Sequence, residues 1–196
     1  MRRAYDVRMD ERALQLLGVV SLAAVDRLRD TLGGREPQAE LDPLDETEAG
    51  ALVHLQAWPG TSVNELSGVI GRSQPATVRL IDRCVERGWV RRAAGRDRRT
   101  VALQLTDRGR ELVDEVLSAR ASALSPMVAA LSDADRADLE RVLSGIVARL
   151  ADDRPAATHV CRLCDRDACM SGPGCPLDHT MAPGARRPTS RQVPGS

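Results

Sequence analysis

The sequence contains no phenylalanine and no lysine, and it has only one tyrosine and two tryptophans. A core without large rings has to be built from Leu, Val, Ile and Ala. The supply is sufficient, because 42% of the 196 residues are hydrophobic. A core of small aliphatic side chains favours helices, and this length suits one domain of ordinary size with a tail.

The chain also lacks a hydrophobic run long enough to span a bilayer. The longest apolar stretch, residues 13–25, follows basic residues as in a signal peptide. However, Asp10 and Glu11 interrupt the basic segment, and no small-residue cleavage site follows. We therefore expect a cytoplasmic protein without a membrane partner. The stretch instead predicts a long helix that is apolar over much of its surface and suits a subunit interface, with these positions on its apolar side: Leu14, Leu17, Ser21, Ala24, Val25, Leu28 and Leu32.

No catalytic arrangement is evident in the sequence. It has no phosphate-binding loop, no Ser-x-x-Lys and no G-x-S-x-G motif. His54 lies on a predicted helix, where a structural role is a better explanation than catalysis. We predict that the protein is not an enzyme.

The formal net charge is zero, but the charges are unevenly distributed. Residues 72–110 contain eleven arginines and four acidic residues, which gives +7. Residues 1–70 and 111–153 each carry −5. A basic segment between acidic flanks provides the phosphate attraction that dominates affinity for nucleic acid.

Residues 73–88 have the pattern of a short amphipathic helix. Ser73 suits the N-cap, where its hydroxyl can accept a backbone N–H, and Pro75 lies in the first turn, where a missing N–H costs little. Gly88 follows the end, where a left-handed residue is needed. One stripe at helical spacing is predicted to be buried, with its cysteine as a core residue: Thr77, Leu80, Ile81 and Cys84. The remaining positions face outward: Gln74, Ala76, Val78, Arg79 and Arg83.

The elements around this helix complete a winged helix-turn-helix. Capping boxes at Asp45 and Ser62 begin two preceding helices. Residues 89–92 predict the first wing strand, residues 93–99 an arginine-rich tip, and residues 101–105 a return strand in which Val101, Leu103 and Leu105 alternate with polar or small residues. Thr106 then begins a long helix that Pro126 disrupts or ends.

A last helix begins at Ser132, and residues 152–155 are expected to close the folded part. The predicted fold is therefore mainly α with a small β-wing, comprising a winged helix-turn-helix domain and a helical dimerisation region. Its segments are a dimerisation helix and connector at 1–40, the DNA-binding lobe at 41–110, dimerisation helices at 111–153, a cysteine-rich tail at 154–180 and a disordered end at 181–196.

Residues 41–150 resemble the MarR family of bacterial transcriptional regulators. The resemblance rests on VNELSGVIG at 63–71, on SQPATVRLIDRCVERGWV at 73–90 and above all on DRRTVALQLTDRG at 97–109. The last string resembles the family's wing motif, Asp-x-Arg followed by an apolar strand, Leu-Thr and a glycine. The resemblance implies a homodimer held by the first and the last two helices, with paired winged helices beneath, and regulation by a small ligand or by oxidation. It also implies a ligand pocket between the dimer helices and the DNA-binding lobe. His54 and Trp58 are the candidates to line this pocket, and packing is the alternative role for both.

The resemblance also implies the DNA contacts. Gln74 is placed to pair with adenine, and Arg79 with guanine or a phosphate. At the wing tip an arginine enters a minor groove, and Asp97 orients Arg99. Two residues depart from the family pattern: Arg72 replaces an apolar residue and adds a phosphate contact or loosens the turn, and Val78 replaces a small polar residue and can meet a thymine methyl. The full predicted contact set is Arg72, Ser73, Gln74, Ala76, Val78, Arg79, Arg83, Arg96, Asp97, Arg98 and Arg99.

Four cysteines follow the region of resemblance. Cys161, Cys164, Cys169 and Cys175 have the spacing C-x2-C-x4-C-x5-C, which resembles a zinc knuckle with cysteine in place of its histidine. Four soft ligands within fifteen residues suit tetrahedral zinc and leave no open position for a substrate. An iron–sulfur cluster, a redox-active disulfide and thiols without a function remain alternatives. Structural disulfides do not fit a DNA-binding protein of the reducing cytosol.

Two functions follow from these observations. The first is a repressor that binds a palindromic operator in double-stranded DNA as a homodimer, modulated by a small-molecule effector or by the cysteines. The second is a metal-dependent module in which the cysteine knuckle binds a protein or RNA and the winged helix is a scaffold.

Overall fold

The structure is a computed structural model, and it describes residues 10–33, 44–95 and 101–181. A long first helix, α1, spans Asp10–Gly33. The DNA-binding lobe follows, with α2 (Glu46–Ala57), α3 (Val63–Ile70), α4 (Gln74–Glu86), β1 (Val90–Ala94) and β2 (Val101–Leu105). The later helices are α5 (Asp107–Val128), α6 (Asp133–Val147), α7 (Arg154–Val160), α8 (Arg166–Met170) and α9 (Asp178–Met181). The predicted fold class, mainly α with a small β-wing, is confirmed.

The helix starts follow the capping residues. Both capping boxes are present: the Asp45 carboxylate accepts from the N–H of Glu48 at 2.7 Å, and the Ser62 hydroxyl accepts from the N–H of Glu65 at 3.3 Å. Thr106 caps α5 through the N–H of Gly109. Ser73 occupies the N-cap of α4 as predicted, but its hydroxyl makes no capping bond, so the predicted bond is wrong. Pro75 in the first turn already removes one of the N–H groups that need a partner.

The wing is an antiparallel pair in which Val90 faces Leu105 and Ala94 faces Val101. The connection between α2 and α3 adds to it, because the N–H of Gly60 donates to Leu103 O at 2.9 Å and Leu103 N–H donates to Thr61 O at 3.0 Å. The predicted alternation fails at one end of the strand. Val101 is 47% exposed while Ala102 is buried, and Val101 pairs with Ala94 at the outer end of the two-stranded ladder.

One core joins α2, α3, α4, the wing and α5. Its largest fully buried side chains are aliphatic, as the scarcity of aromatic residues requires: Leu52, Leu55, Leu66, Ile81, Leu103, Val113 and Val116. In contrast, α1 packs mainly on α5 and leaves most of its apolar residues exposed. No helix in the described ranges is both long enough and apolar enough to cross a membrane.

Two expectations about the later helices are wrong. Helix α5 passes through Pro126 and ends two residues beyond it, because a proline so near the end removes only one hydrogen bond of the last turn. The folded part also continues beyond residue 155. Helices α7 and α9 contact each other around a small second core in which Ala157 and Leu177 are fully buried.

Candidate DNA-binding interface and cysteine cluster

Helix α4 has one face in the core and one face in solvent. Its predicted buried stripe is confirmed, since each member is at most 5% exposed: Thr77, Leu80, Ile81 and Cys84. Burial raises the pKa of the Cys84 thiol to about 12, which suits a core residue. Ser73, Gln74, Val78 and Arg79 are exposed and Ala76 is half-buried, so the helix presents the predicted outward face.

A buried carboxylate holds this helix in place. Glu48 of α2 is only 3% exposed, and its Oε1 accepts from Nε and Nη2 of Arg83 at 3.2 and 3.0 Å. Nη1 of Arg87 lies 3.4 Å from both carboxylate oxygens, and its guanidinium lies 4.9 Å from the centre of the Trp89 ring. The hydrogen bond to Glu48 raises the pKa of Arg83. Two cations on one buried anion tie the end of α4 to α2.

Several arginines of the basic segment already have partners within the protein. Arg83, a predicted DNA contact, is engaged by Glu48, so its DNA contact stays a prediction that requires the guanidinium to turn from this partner. Arg72, also predicted, donates to the Thr47 hydroxyl at 3.2 Å, and Arg92 pairs with Asp82 at 2.6 Å. Charge counting along the sequence could not distinguish these engaged arginines from the others.

Arg79 and Arg91 remain available. Neither guanidinium has a hydrogen-bond or ion-pair partner among the described residues, and both side chains are exposed. Arg79 lies on the outward face of α4, and Arg91 lies on the first wing strand, where sequence analysis did not predict a contact. An exposed cation without a protein partner is free to meet a phosphate or a base edge.

The wing tip is not described. Arg96, Asp97, Arg98 and Arg99 lie in the range 96–100, outside the described residues, so their contacts stay predictions. At the base of the wing, Thr106 joins the end of β2 to the start of β1. Its hydroxyl donates to Gly88 O at 2.6 Å, and its N–H donates to Trp89 O at 3.0 Å.

His54 and Trp58 stack on each other, with ring centres 4.7 Å apart. His54 is 4% exposed, and its Nε2 lies 3.3 Å from the Thr61 hydroxyl, while its Nδ1 is buried without a partner among the described residues. Burial lowers the pKa of His54 to about 4, with a smaller raising effect from Glu65 and a lowering one from Arg154. The ring is therefore neutral at neutral pH.

This pair does not line the cavity beside α1, and its role in effector binding stays a prediction. That cavity, of about 300 Å³, lies between α1 and the start of α2, and its lining is Val25, Leu28, Arg29, Leu44, Asp45, Glu46 and Leu163. Trp58 instead faces the cysteine-rich segment, which sequence analysis treated as a separate tail.

The four cysteines surround one small cavity of about 10 Å³, together with Trp58, Arg166 and Met170. Their thiols interact in series along the chain: Cys161 with Cys164, Cys164 with Cys169, and Cys169 with Cys175. The hydrogen bond from Cys164 lowers the pKa of Cys161, whereas that same bond raises the pKa of Cys164. As they stand in the described part of the chain, no three His, Cys, Asp or Glu side chains form a ready metal site.

Comparison with known proteins agrees with this geometry. The sequence profile of the MarR family matches residues 42–100, the lobe from the end of the connector to the wing tip. The transcriptional repressor MprA of Escherichia coli K12 is 33% identical over 122 residues, which are 61% of this chain and 69% of MprA. The chain belongs to the MarR family. The expected resemblance is thereby confirmed.

Solved structures of the MarR family have the same fold. A MarR family protein from Bacillus stearothermophilus superposes with a TM-score of 0.62 at 25% identity, covering 73% of this chain and 96% of the other. Apo MarR from Escherichia coli gives 0.55 at 21% identity, covering 67% and 93%. This MarR-family protein is thus a transcriptional regulator and not an enzyme, as the sequence predicts. The four cysteines at 161–175 lie outside the segment that the family profile matches, whereas Cys84 lies inside it.

Proposed function

We propose that this protein is a repressor that binds a palindromic operator as a homodimer, with α4 of each subunit in a major groove. The main support is that α4 has one buried face and one exposed face. Its inner face is fixed in the core and by Glu48, while Gln74, Val78 and Arg79 are exposed together on its outer face. A rigid helix with an outer face of this composition can read base edges and thymine methyl groups. Repression, rather than activation, is supported by the similarity to MprA, which is named a transcriptional repressor.

Exposed apolar surface supports the dimer. The side chains of α1 that are most exposed include Leu14, Val19 and Leu22, each at least 59% exposed, and on α6 Val142 and Leu143 are 48% and 44% exposed. Apolar surface of this extent on two helices marks a protein–protein interface. A two-fold dimer places two copies of α4 on half-sites about 10 base pairs apart, or a multiple of that spacing.

The effector is proposed to bind in the cavity of about 300 Å³ between α1 and α2. This volume is at the lower end of the range for ligand sites. Val25, Leu28 and Leu44 provide an apolar lining, and Arg29 provides one cation. An effector here would contact both the proposed dimer helix and the helix that holds Glu48.

The test is operator binding by the full chain at several salt concentrations. Arg79→Ala is expected to weaken specific binding by about 1–3 kcal/mol if Arg79 contacts a guanine, or to lower the salt slope by about 1 if it contacts a phosphate. Arg99→Ala is expected to weaken binding with the dimer intact. The control is Arg141→Ala on α6, which removes an exposed arginine that pairs with Asp138 and is expected to leave operator binding unchanged.

Wild-type binding without salt dependence and without sequence preference would rule out the proposal. Equal affinity of Arg79→Ala and wild-type protein would remove the outer face of α4 from it. The alternative, a module that binds RNA or protein through the cysteines, is less well supported, because the cysteine cavity faces Trp58 of the DNA-binding lobe.

A further inference from the structure

The cysteine segment is docked on the turn of the helix-turn-helix. Helix α7 packs against α3, and Nδ1 of His159 lies 2.7 Å from Val69 O. This carbonyl belongs to the last turn of α3, where backbone acceptors have no partner within the helix. Cε1 of the same ring lies 3.2 Å from the position that a Cβ on Gly71 would take. Gly71, with φ of 64°, is the left-handed turn that leads into α4.

Two arginines on the cysteine segment strengthen this docking. Nη2 of Arg162 pairs with Oε1 of Glu46 at 2.8 Å, and its Nη1 donates to His159 O at 3.0 Å. The guanidinium of Arg166 lies 5.2 Å from the centre of the Trp58 ring. The segment that carries the cysteines therefore contacts the first residue of α2, the residue that follows its end and the last turn of α3.

The cysteines themselves converge from separate pieces of backbone. Cys161 caps α7, Cys164 lies in the following turn, Cys169 lies on α8, and Cys175 follows Gly174, which has φ of 97°. All four are half-buried around the same cavity. Its volume of about 10 Å³ is roughly the space of a single atom-sized guest.

We propose that Cys161, Cys164, Cys169 and Cys175 bind one zinc ion, and that this site holds α7 against the helix-turn-helix turn. Four thiolates are a ligand set that tetrahedral zinc takes in structural sites. Zinc with four thiolates has a net charge of −2, and Arg166 in the cavity lining and Arg120, which interacts electrostatically with Cys164, offset it. Coordination draws the four sulfur atoms closer together than they stand in the described structure.

The consequence for DNA binding rests on the proposed function. Short elements such as α7 and α8 have little stability of their own, and zinc supplies the free energy that keeps such segments folded. With zinc bound, His159 stays on Val69 O and the turn that positions α4 is held. Without zinc, that contact is lost and the operator affinity falls.

The first experiment measures metal in the full chain after purification without added metal. One zinc per chain is expected, and cobalt substitution is expected to give the absorption of a tetrahedral thiolate site. Cys169→Ser is expected to lower zinc affinity by at least about tenfold, as changes at metal sites do. Cys84→Ala is the matched control, since Cys84 is buried in the core and is expected to leave the stoichiometry unchanged.

Two results would overturn the zinc site. One is protein that retains no metal while its helical fold is intact. The other is iron with inorganic sulfide and a visible absorption band, which would replace zinc by a cluster. Neither result depends on whether the chain binds DNA.

The second experiment measures hydrogen exchange in zinc-loaded and zinc-stripped full-length protein. The reporters are the N–H groups of Gly71 and Arg72, which donate to Gly68 O and Ser67 O in the turn. Removal of zinc is expected to speed their exchange at least about threefold, the effect of one lost hydrogen bond. His159→Ala is expected to do the same while zinc stays bound. Unchanged exchange after zinc removal would refute the proposal that zinc holds α7 against the turn. Zinc-dependent exchange in a protein that does not bind an operator would refute only the proposed function.

Discussion

Glu48 combines two functions in one buried side chain. Its carboxylate belongs to the capping box of α2, and it also accepts hydrogen bonds from Arg83 and Arg87 of the α4 region. A carboxylate that is 3% exposed needs such partners, because an unpaired buried charge costs several kcal/mol. The capping box was predictable from the spacing of Asp45 and Glu48. The ion pairs were not, because they join residues 35 and 39 positions apart.

His54 provides a prediction on pH. Between its ordinary pKa near 6.5 and the lowered value of about 4, the unfolded chain binds a proton that the folded chain does not. Stability is therefore expected to fall as the pH falls through this window, and at pH 5 His54 accounts for about 2 kcal/mol of the loss. His54→Gln removes this contribution. Denaturant unfolding of both proteins at pH 8 and pH 5 provides the measurement.

Comparing the two proteins cancels the titration of the groups that do not interact with His54. His54→Gln also loses the stacking on Trp58, so it is expected to be less stable at pH 8, and only the pH dependence is diagnostic. Identical pH dependence in variant and wild type would show that folding does not lower the pKa of His54.

At the scale of elements, α5 begins in close contact with the base of the wing. A Cβ on Gly109 would lie 2.1 Å from Trp89 O, the carbonyl that accepts the N–H of Thr106. Gly109→Ala therefore has to separate α5 from β1 and is expected to lower the free energy of unfolding by about 1–3 kcal/mol. Gly68→Ala is the control. It lies on a helix with nothing within 4 Å of the added methyl group, so it is expected to stabilise by about 0.5–1 kcal/mol.

Denaturant unfolding compares the two variants with the wild type. The free energy of unfolding is expected to fall in Gly109→Ala and to rise in Gly68→Ala. A Gly109→Ala protein as stable as the wild type would show that the helix and the strand separate without cost.

The sequence was sufficient to predict the local elements, but it predicted only part of the way they pack together. The capped starts of α2, α3, α5 and α6 and the left-handed Gly88 depend on a few neighbouring residues, and each was found as expected. The buried stripe of α4 follows from helical spacing. The docking of the cysteine segment was not predictable, because His159 and Val69 are 90 residues apart and their hydrogen bond uses a backbone carbonyl that no side-chain pattern marks.

At the scale of the whole molecule, α1 is the helix whose apolar side chains a single chain leaves exposed. Leu22 is 68% exposed on a helix whose neighbouring apolar residues are also exposed. In a two-fold dimer each substitution acts twice, and each buried leucine contributes about 1.5–3 kcal/mol. Leu22→Glu is therefore expected to weaken dimerisation at least about 100-fold, with both the apolar loss and charge burial acting in the same direction.

Sedimentation at several protein concentrations measures this effect. Gln15→Glu, which adds the same charge to an exposed polar position on the same helix, is the control and is expected to remain dimeric. A dimeric Leu22→Glu protein would place the interface away from this face of α1. In the proposed complex the dimer spaces two copies of α4 to contact both half-sites. The Leu22→Glu monomer is therefore also expected to lose most of its operator affinity while its winged helix stays folded.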